Sequence, residues 1–196
     1  MVLLSIIESL KSIDNSVLLW INSRHSDTLD TVMWNASSKT LWIPLYAIFA
    51  WLIIEKFGKA SWLPILLVVL TIIITDQGSD HFIKNMVMRY RPSHNLALQS
   101  QLHFVNGYTG GQYGFVSSHA ANTTAFALFM ILLFRKKIVT VSLICWVALV
   151  CYSRMYLGVH YPSDILGGMI LGLVTVLLTF ALYNRIENKL PRKRTE

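Results

Sequence analysis

The sequence predicts an all-α, polytopic membrane helix bundle of five or six transmembrane helices with an N-terminal amphipathic helix. Three observations predict it. Hydrophobic residues make up 54% of the 196 positions and charged ones only 14%, where a soluble globular domain carries about a quarter charged. The mean hydropathy is +0.52. Long apolar runs alternate with short polar segments, with no Pro/Ser-rich linker, internal repeat or low-complexity stretch between them. Helices packed side by side in a bilayer leave no place for a linker, so a single domain over residues 1–196 is expected.

Residues 1–22 lack a basic leader, and Glu8, Lys11 and Asp14 interrupt their apolar run. A cleaved signal peptide is therefore not expected. Leu3, Ile6, Ile7, Leu10, Val17, Leu18 and Ile21 instead fall at helical spacing, the pattern of an amphipathic helix lying at an interface. Four runs then suit a bilayer core, which takes about 20 apolar residues as helix: residues 61–75, 118–134, 138–152 and 165–183. A fifth, residues 41–54, carries Pro44 but also Trp42, Tyr46 and Trp51, aromatic anchors of the kind found at membrane interfaces. It is expected to extend back toward Thr31. Five spans are predicted, with six as the alternative.

Positive charge collects in short cytoplasmic loops. Alternating the spans puts ten of the seventeen Lys and Arg on one side: Lys56, Lys59, Arg135, Lys136, Lys137, Arg185, Lys189, Arg192, Lys193 and Arg194. The C-terminus is then cytoplasmic, and the opposite ends of the helices face outward, to the periplasm or cell exterior. The basic tail reads as a solvated or lipid-touching segment. Nucleic-acid binding would need a basic soluble domain, which is missing.

Three polar segments meet on the outward side. In the first, Asp76, Asp80 and Lys84 recur every four residues along one helical stripe, and Arg91 occupies the extended position imposed by Pro92. In the second, Ser117 or Ser118 can cap a helix whose first turn holds His119, next to the free N–H groups and positive dipole end that favour an anion. The Gly-rich stretch before it, residues 106–114, reads as a mobile loop. In the third, Arg154 closes one span while His160 and Asp164 open the next. A carboxylate four residues past a histidine can hold one ring nitrogen and leave the other free.

Each segment alone has a plainer structural reading: a basic rim of Lys84, Arg89 and Arg91 on lipid headgroups, a capped histidine, a His–Asp tie between loop and helix. Their convergence on one membrane face is what makes a site. His119, His160 and Asp164 are possible zinc ligands, but Lys84, Arg91 and Arg154 would repel a divalent cation and attract an oxyanion. The expected guest is a phosphate, with no metal and no cofactor.

The ordered set Lys84-x6-Arg91-Pro92, Ser117-Ser118-His119 and Ser153-Arg154-x5-His160-x3-Asp164 resembles the three motifs of the type 2 phosphatidic acid phosphatase (PAP2) family, membrane lipid phosphatases related to vanadium haloperoxidases. One departure stands in the middle motif, where the usual Pro-Ser-Gly-His reads Val116-Ser117-Ser118-His119. The resemblance implies a phosphoric ester hydrolase: His160 as nucleophile forming a phosphohistidine, Asp164 holding its imidazole, and His119 protonating the leaving oxygen. Lys84, Arg91, Arg154, the Ser117 hydroxyl and the N–H groups of Ser118 and His119 would bind the phosphoryl oxygens. The implied partners are the bilayer and a lipid phosphate of the lipid A, undecaprenyl diphosphate or phosphatidylglycerol phosphate class, handled at a bacterial inner membrane. Two rivals share some of these features. A vanadate-dependent oxidase would be soluble; a transporter would place charges at mid-bilayer and show a repeat.

The remaining features are read as structural. Cys145 and Cys151 lie about 9 Å apart along one helix, too far for an unstrained disulfide. Gly168 and Gly172 suit a close helix crossing within the bundle. Asn35 and Asn122 form glycosylation sequons by chance. His25, His81, His94 and His103 have no evident partner, though His94 and His103 lie in the loop where a headgroup would pass.

Overall fold

A computed structural model of the protein describes residues 2–189. The basic tail, with Arg192, Lys193 and Arg194, lies outside the described residues. Among the described residues, eight α-helices follow in order: α1 Val2–Asn22, α2 Asp27–Ser37, α3 Ile43–Phe57, α4 Trp62–Gln77, α5 Lys84–Val87, α6 Ser118–Phe134, α7 Lys137–Tyr156 and α8 Pro162–Glu187. Helical segments Thr40–Ala60, Trp62–Val87, Lys137–Tyr156 and Pro162–Glu187 are long and apolar enough to cross a membrane, and α6 is a shorter apolar helix. A π-helical stretch, Gly78–Ile83, joins α4 to α5, so the helix does run on past residue 75 toward Lys84.

The third helix does not extend back to Thr31. Its first turn begins at Ile43 and takes Pro44, whose missing N–H is no loss there. The preceding α2 is a separate helix, capped by the Ser26 hydroxyl, which accepts from the N–H of Leu29, and ended at Ser38, where the backbone turns extended. Hydroxyls of Ser38 and Thr40 bond each other at 2.7 Å, a local alternative to continuing the helix.

The centre of the bundle is α6, packed between α4, α7 and α8. Ala120, Ala121, Ala125 and Phe129 are fully buried on it. Gly168 and Gly172 explain how α8 comes so close: a Cβ at Gly168 would stand 2.5 Å from the Ser117 carbonyl oxygen, and one at Gly172 2.6 Å from that of Ala121. Polar side chains tie the helices across the apolar interior, where they have no water to turn to. Thr71 bonds Thr179 at 2.8 Å, Thr75 donates to Asn122 at 2.6 Å, and Asn122 donates to Asp76 at 2.7 Å. The opposite faces are apolar and exposed, as with Leu166, Ile170, Leu177 and Leu178 on α8, which is what a lipid-facing surface requires.

The polar ends sort as the alternation of spans demands. Lys56 near the end of α3 donates to the carbonyl of Leu133 at the end of α6, so this end of the bundle also holds Arg135 and the start of α7. Lys84, Arg91, Arg154 and His160 gather at the other end. Helix α1 lies against that end with two distinct stripes. Asp14, Leu18 and Ile21 face the protein and are buried, while Leu10, Ile13, Val17 and Trp20 are exposed.

Candidate active site

The cavity at this end has a volume of about 460 Å³, and its walls include Lys84, Arg91, Ser118, His119, Arg154 and His160. Five elements supply it. Lys84 opens α5; Arg91 follows in extended backbone before Pro92; Ser118 and His119 form the first turn of α6; Arg154 lies in the last turn of α7; and His160 precedes α8. Residues separated by up to 76 positions in the chain thus meet in one chamber, as the spacing of the spans predicts.

The cations are buried, Arg91 and Arg154 against neutral partners and Lys84 against the Asp80 carboxylate. Arg91 is anchored through its backbone N–H to the carbonyl of Gln112 at 3.1 Å and through Nε to that of Tyr113 at 3.1 Å. Arg154 is 3% exposed; it donates to the hydroxyls of Ser37 and, at 3.4 Å, Tyr108, and its Nε has no partner. Lys84 donates to Asp80 and, at 2.8 Å, to the Ser118 hydroxyl. Buried like charges repel strongly at low dielectric, and Asp80 offsets only one of the three cations in this chamber.

The loop over residues 106–114 is not free, as its glycines suggested. It is folded across Arg91, and Tyr90 pairs with Tyr113 in an isolated antiparallel bridge. Gly110, at φ +68°, leaves room for Arg91, whose Nη1 would stand 3.0 Å from a Cβ there. A Cβ at Gly114 would stand 2.9 Å from Asp164 Oδ2. Gly110 and Gly114 thus serve close approach, whereas Gly107 and Gly111 have open space around them.

Only one atom of the Arg91–His160 pair can donate. Arg91 Nη1 lies 3.0 Å from His160 Nε2, and a guanidinium has no lone pair to offer. Nε2 is therefore the unprotonated nitrogen, and the ring proton sits on Nδ1. Burial, followed by the charges of Arg91, Arg154 and Lys84, holds the His160 imidazole well below the usual histidine range, so the ring is neutral. Asp164 Oδ2 stands 3.5 Å from Nδ1, and Nδ1 makes no hydrogen bond. The expected His–Asp hydrogen bond is thus a longer contact, because Oδ2 already accepts the Tyr161 N–H at 3.0 Å in a capping box.

Ser117 also differs from expectation. Its hydroxyl caps α6 by accepting the Ala120 N–H, its N–H donates to the Asp164 carbonyl at 3.0 Å, and it is fully buried. The cavity-facing hydroxyl is that of Ser118. Two residues without a sequence signal stand beside the expected ones. Ser37 orients Arg154, and Tyr108 lines the cavity; burial pushes its phenol up, but Arg154, Arg91 and Lys84 together bring it below its usual range. Arg89, read from sequence as headgroup rim, is instead turned inward onto Asp14 and Asp164. His103 has a partner after all: it stacks on His25 with ring centroids 3.9 Å apart and meets Asp30 at 2.7 Å, away from the cavity. His94 contacts the Ser93 hydroxyl at 3.2 Å.

These features define a polytopic membrane protein with a chamber lined by three cations and a neutral histidine at one end of the bundle. Comparison with known proteins gives the family. The model of the PAP2 superfamily matches residues 64–187, and the chain belongs to that superfamily. Over 168 residues it is 37% identical to the lipid A 4'-phosphatase of Bacteroides thetaiotaomicron, covering 85% of this chain and 75% of that protein. Over 177 residues it is 34% identical to the lipid A 4'-phosphatase of Porphyromonas gingivalis, covering 90% and 75%. Its fold matches the crystal structure of a transmembrane PAP2-type phosphatidylglycerolphosphate phosphatase from Bacillus subtilis with a TM-score of 0.67 at 22% identity, over 95% of this chain and 90% of that one.

Proposed function

We propose that the protein is a lipid phosphatase that removes a phosphate monoester from a lipid A-class substrate through a phosphohistidine. The single observation that carries this reading is a neutral His160 at the cavity wall, its Nε2 lone pair held by Arg91 Nη1, with Lys84, Arg91 and Arg154 around the same space. Family membership and the phosphatase relatives support ester hydrolysis. The relatives that match 85% and 90% of the chain act on lipid A, whereas those acting on prenyl or sphingoid phosphates match less than half of it. That difference supports lipid A over prenyl and sphingoid phosphates.

The three cations, the Ser118 hydroxyl and the N–H groups opening α6 bind the non-bridging oxygens, and meet the charge that builds there in the transition state. His160 Nε2 forms a bond to phosphorus as the ester P–O bond breaks. His119 gives its proton to the departing lipid oxygen; the incoming phosphate dianion offsets the neighbouring cations and favours the protonated imidazole. Water then attacks phosphorus, returns a proton to His119 and breaks the P–N bond, freeing phosphate and His160. Asp164 stabilises the charge that His160 gains.

The cavity also has an apolar side. Trp42 and Tyr46 on one side and Ile72 and Ile73 on the other line it, and Tyr46 and Ile73 reach the exposed surface of the bundle. Acyl chains can thus stay in the leaflet while the phosphate enters. The reactive end faces the periplasm and the basic end the cytoplasm of a bacterial inner membrane, a reading supported by the charge asymmetry.

The test is to mix the detergent-solubilised protein with 32P-labelled lipid A, quench in alkaline SDS and look for label on the protein. A base-stable, acid-labile protein band, absent in His160→Ala, is expected. Phosphate release without such a band in rapid-quench time courses would overturn the covalent step.

A further inference from the structure

We infer that Arg89, clamped by Asp14 of the N-terminal helix, is a positioning residue that sets the Asp164 carboxylate against His160, so that α1 is part of the catalytic apparatus. The inference rests on the assignment of His160 as nucleophile. Arg89 lies inside the spacer between Lys84 and Arg91 and does not line the cavity. It faces the other way, toward the back of the nucleophile.

Arg89 Nη1 donates to Asp164 Oδ1 at 2.9 Å and to the Ser163 hydroxyl at 2.6 Å, while Nη2 donates to Asp14 Oδ2 at 2.8 Å. Asp14 is 6% exposed. It receives the Ser163 N–H at 2.9 Å and the Ser163 hydroxyl, which ties the first turn of α8 to α1. The plane of the guanidinium is fixed from a further side: its carbon sits 4.1 Å from the centre of the Tyr161 ring. The Arg89 carbonyl accepts the Gly114 N–H at 2.8 Å, so the backbone is held too.

The consequence for Asp164 follows from counting its oxygens. Oδ1 is taken by Arg89 and Oδ2 by the Tyr161 N–H, and with both fixed the carboxylate presents Oδ2 to His160 Nδ1 at 3.5 Å. A carboxylate that is 0% exposed and not matched by a cation would be costly to keep charged. Arg89 supplies that cation from behind, where it neither touches the phosphoryl group nor competes with the three cations that do. Asp14 in turn holds the second arm of the fork. Without it, Arg89 could swing toward solvent, since its side chain is 27% exposed.

The experiment is a double-mutant cycle on phosphate release from lipid A in mixed micelles, read under single-turnover conditions so that weak variants remain measurable. Arg89→Gln is expected to lower kcat by about 10- to 100-fold, the scale of a misplaced reacting group, with KM changed by less than about threefold. Arg89→Lys recovers part of the loss, and Asp14→Asn gives a smaller loss of the same kind. In an Asp164→Asn background, Arg89→Gln costs no more than about a further twofold, because the group it positions is already disabled. If instead Arg89→Gln multiplies the Asp164→Asn defect by its full single-mutant factor, or raises KM while sparing kcat, Arg89 acts through the fold or the phosphate and the inference fails. Should Arg89→Gln not fold, the same cycle is run with Arg89→Lys. Failure of the underlying reading looks different: His160→Ala would then retain turnover and wild-type protein would carry no label.

Discussion

Arg91 Nη1 and His160 Nε2 stand 3.0 Å apart with only one hydrogen-bond donor between them, so the arginine proposed to grip phosphate also assigns the tautomer of the proposed nucleophile. In the proposed reaction an incoming phosphoryl oxygen takes over this N–H, and the nitrogen lone pair is released as it does. Arg91→Lys, which keeps charge but loses the planar fork, is expected to lower kcat/KM by about 100-fold, the cost of one transition-state donor. Steady-state phosphate release measures it; a loss below threefold would detach Arg91 from the reacting group.

The neutral state of His160 makes stability depend on pH in a definite direction. Its folded pKa lies well below the usual value, so below about pH 6.5 the unfolded chain binds a proton that the native chain refuses. Stability therefore falls as pH drops through that window, by at most about 1.4 kcal/mol per pH unit for one proton. Thermal unfolding in detergent between pH 7 and pH 5 should show this slope in the wild type and a shallower one in His160→Gln.

On the proposed reading, Asp80 competes with phosphate for Lys84. The two are bonded to each other, but the Asp80 side chain is 52% exposed, and such exposed pairs contribute only about 0.2–1 kcal/mol. Asp80→Asn should accordingly lower KM by up to about fivefold with kcat little changed. A rise in KM would mean that Asp80 helps to hold Lys84 in place.

Gly168 and Gly172 predict a packing defect that reaches the site. Gly172→Leu forces a side chain against the Ala121 carbonyl and should destabilise the protein by about 1–3 kcal/mol, the usual cost of overpacking. Gly168→Ala meets the carbonyl of Ser117, the residue that caps α6, and should reduce activity along with melting temperature. Paired thermal-shift and activity measurements separate the two effects.

An oxyanion chamber built on three cations also predicts its inhibitors. Vanadate, which resembles phosphate and adopts the geometry of its transfer, should block phosphate release. EDTA should leave it unchanged, because side-chain cations do the work that a metal would otherwise do. Inhibition by EDTA that zinc or magnesium reverses would contradict this.

The positions of Lys84, Arg91, Arg154 and His160 were legible because spans of known length carry widely separated residues to one end of a bundle, and because the residue before Pro92 must be extended. Other features depend on contacts that a linear pattern does not carry. Arg89 and Arg91 are two residues apart and equally basic, yet one faces the cavity and the other turns to Asp14, which is 75 residues away in sequence. The Gly-rich stretch reads as mobile because glycine permits motion; only the proximity of Arg91 and Asp164 shows that Gly110 and Gly114 permit contact. Of two adjacent serines, one had to cap α6, and helix geometry then sends the other into the cavity. The break between α2 and α3 has no glycine at the turn to announce it, only the paired hydroxyls of Ser38 and Thr40 and the proline in the first turn of α3.

The apolar wall formed by Trp42, Tyr46, Ile72 and Ile73 beside the charged chamber has a bearing on how turnover should be quantified. An enzyme that meets its substrate sideways, within the leaflet, responds to the mole fraction of lipid phosphate among its neighbours rather than to moles per litre. Diluting a micelle with inert detergent at constant bulk substrate should slow it, and short-chain water-soluble phosphates should saturate it poorly, since nothing confines them to the plane in which it works.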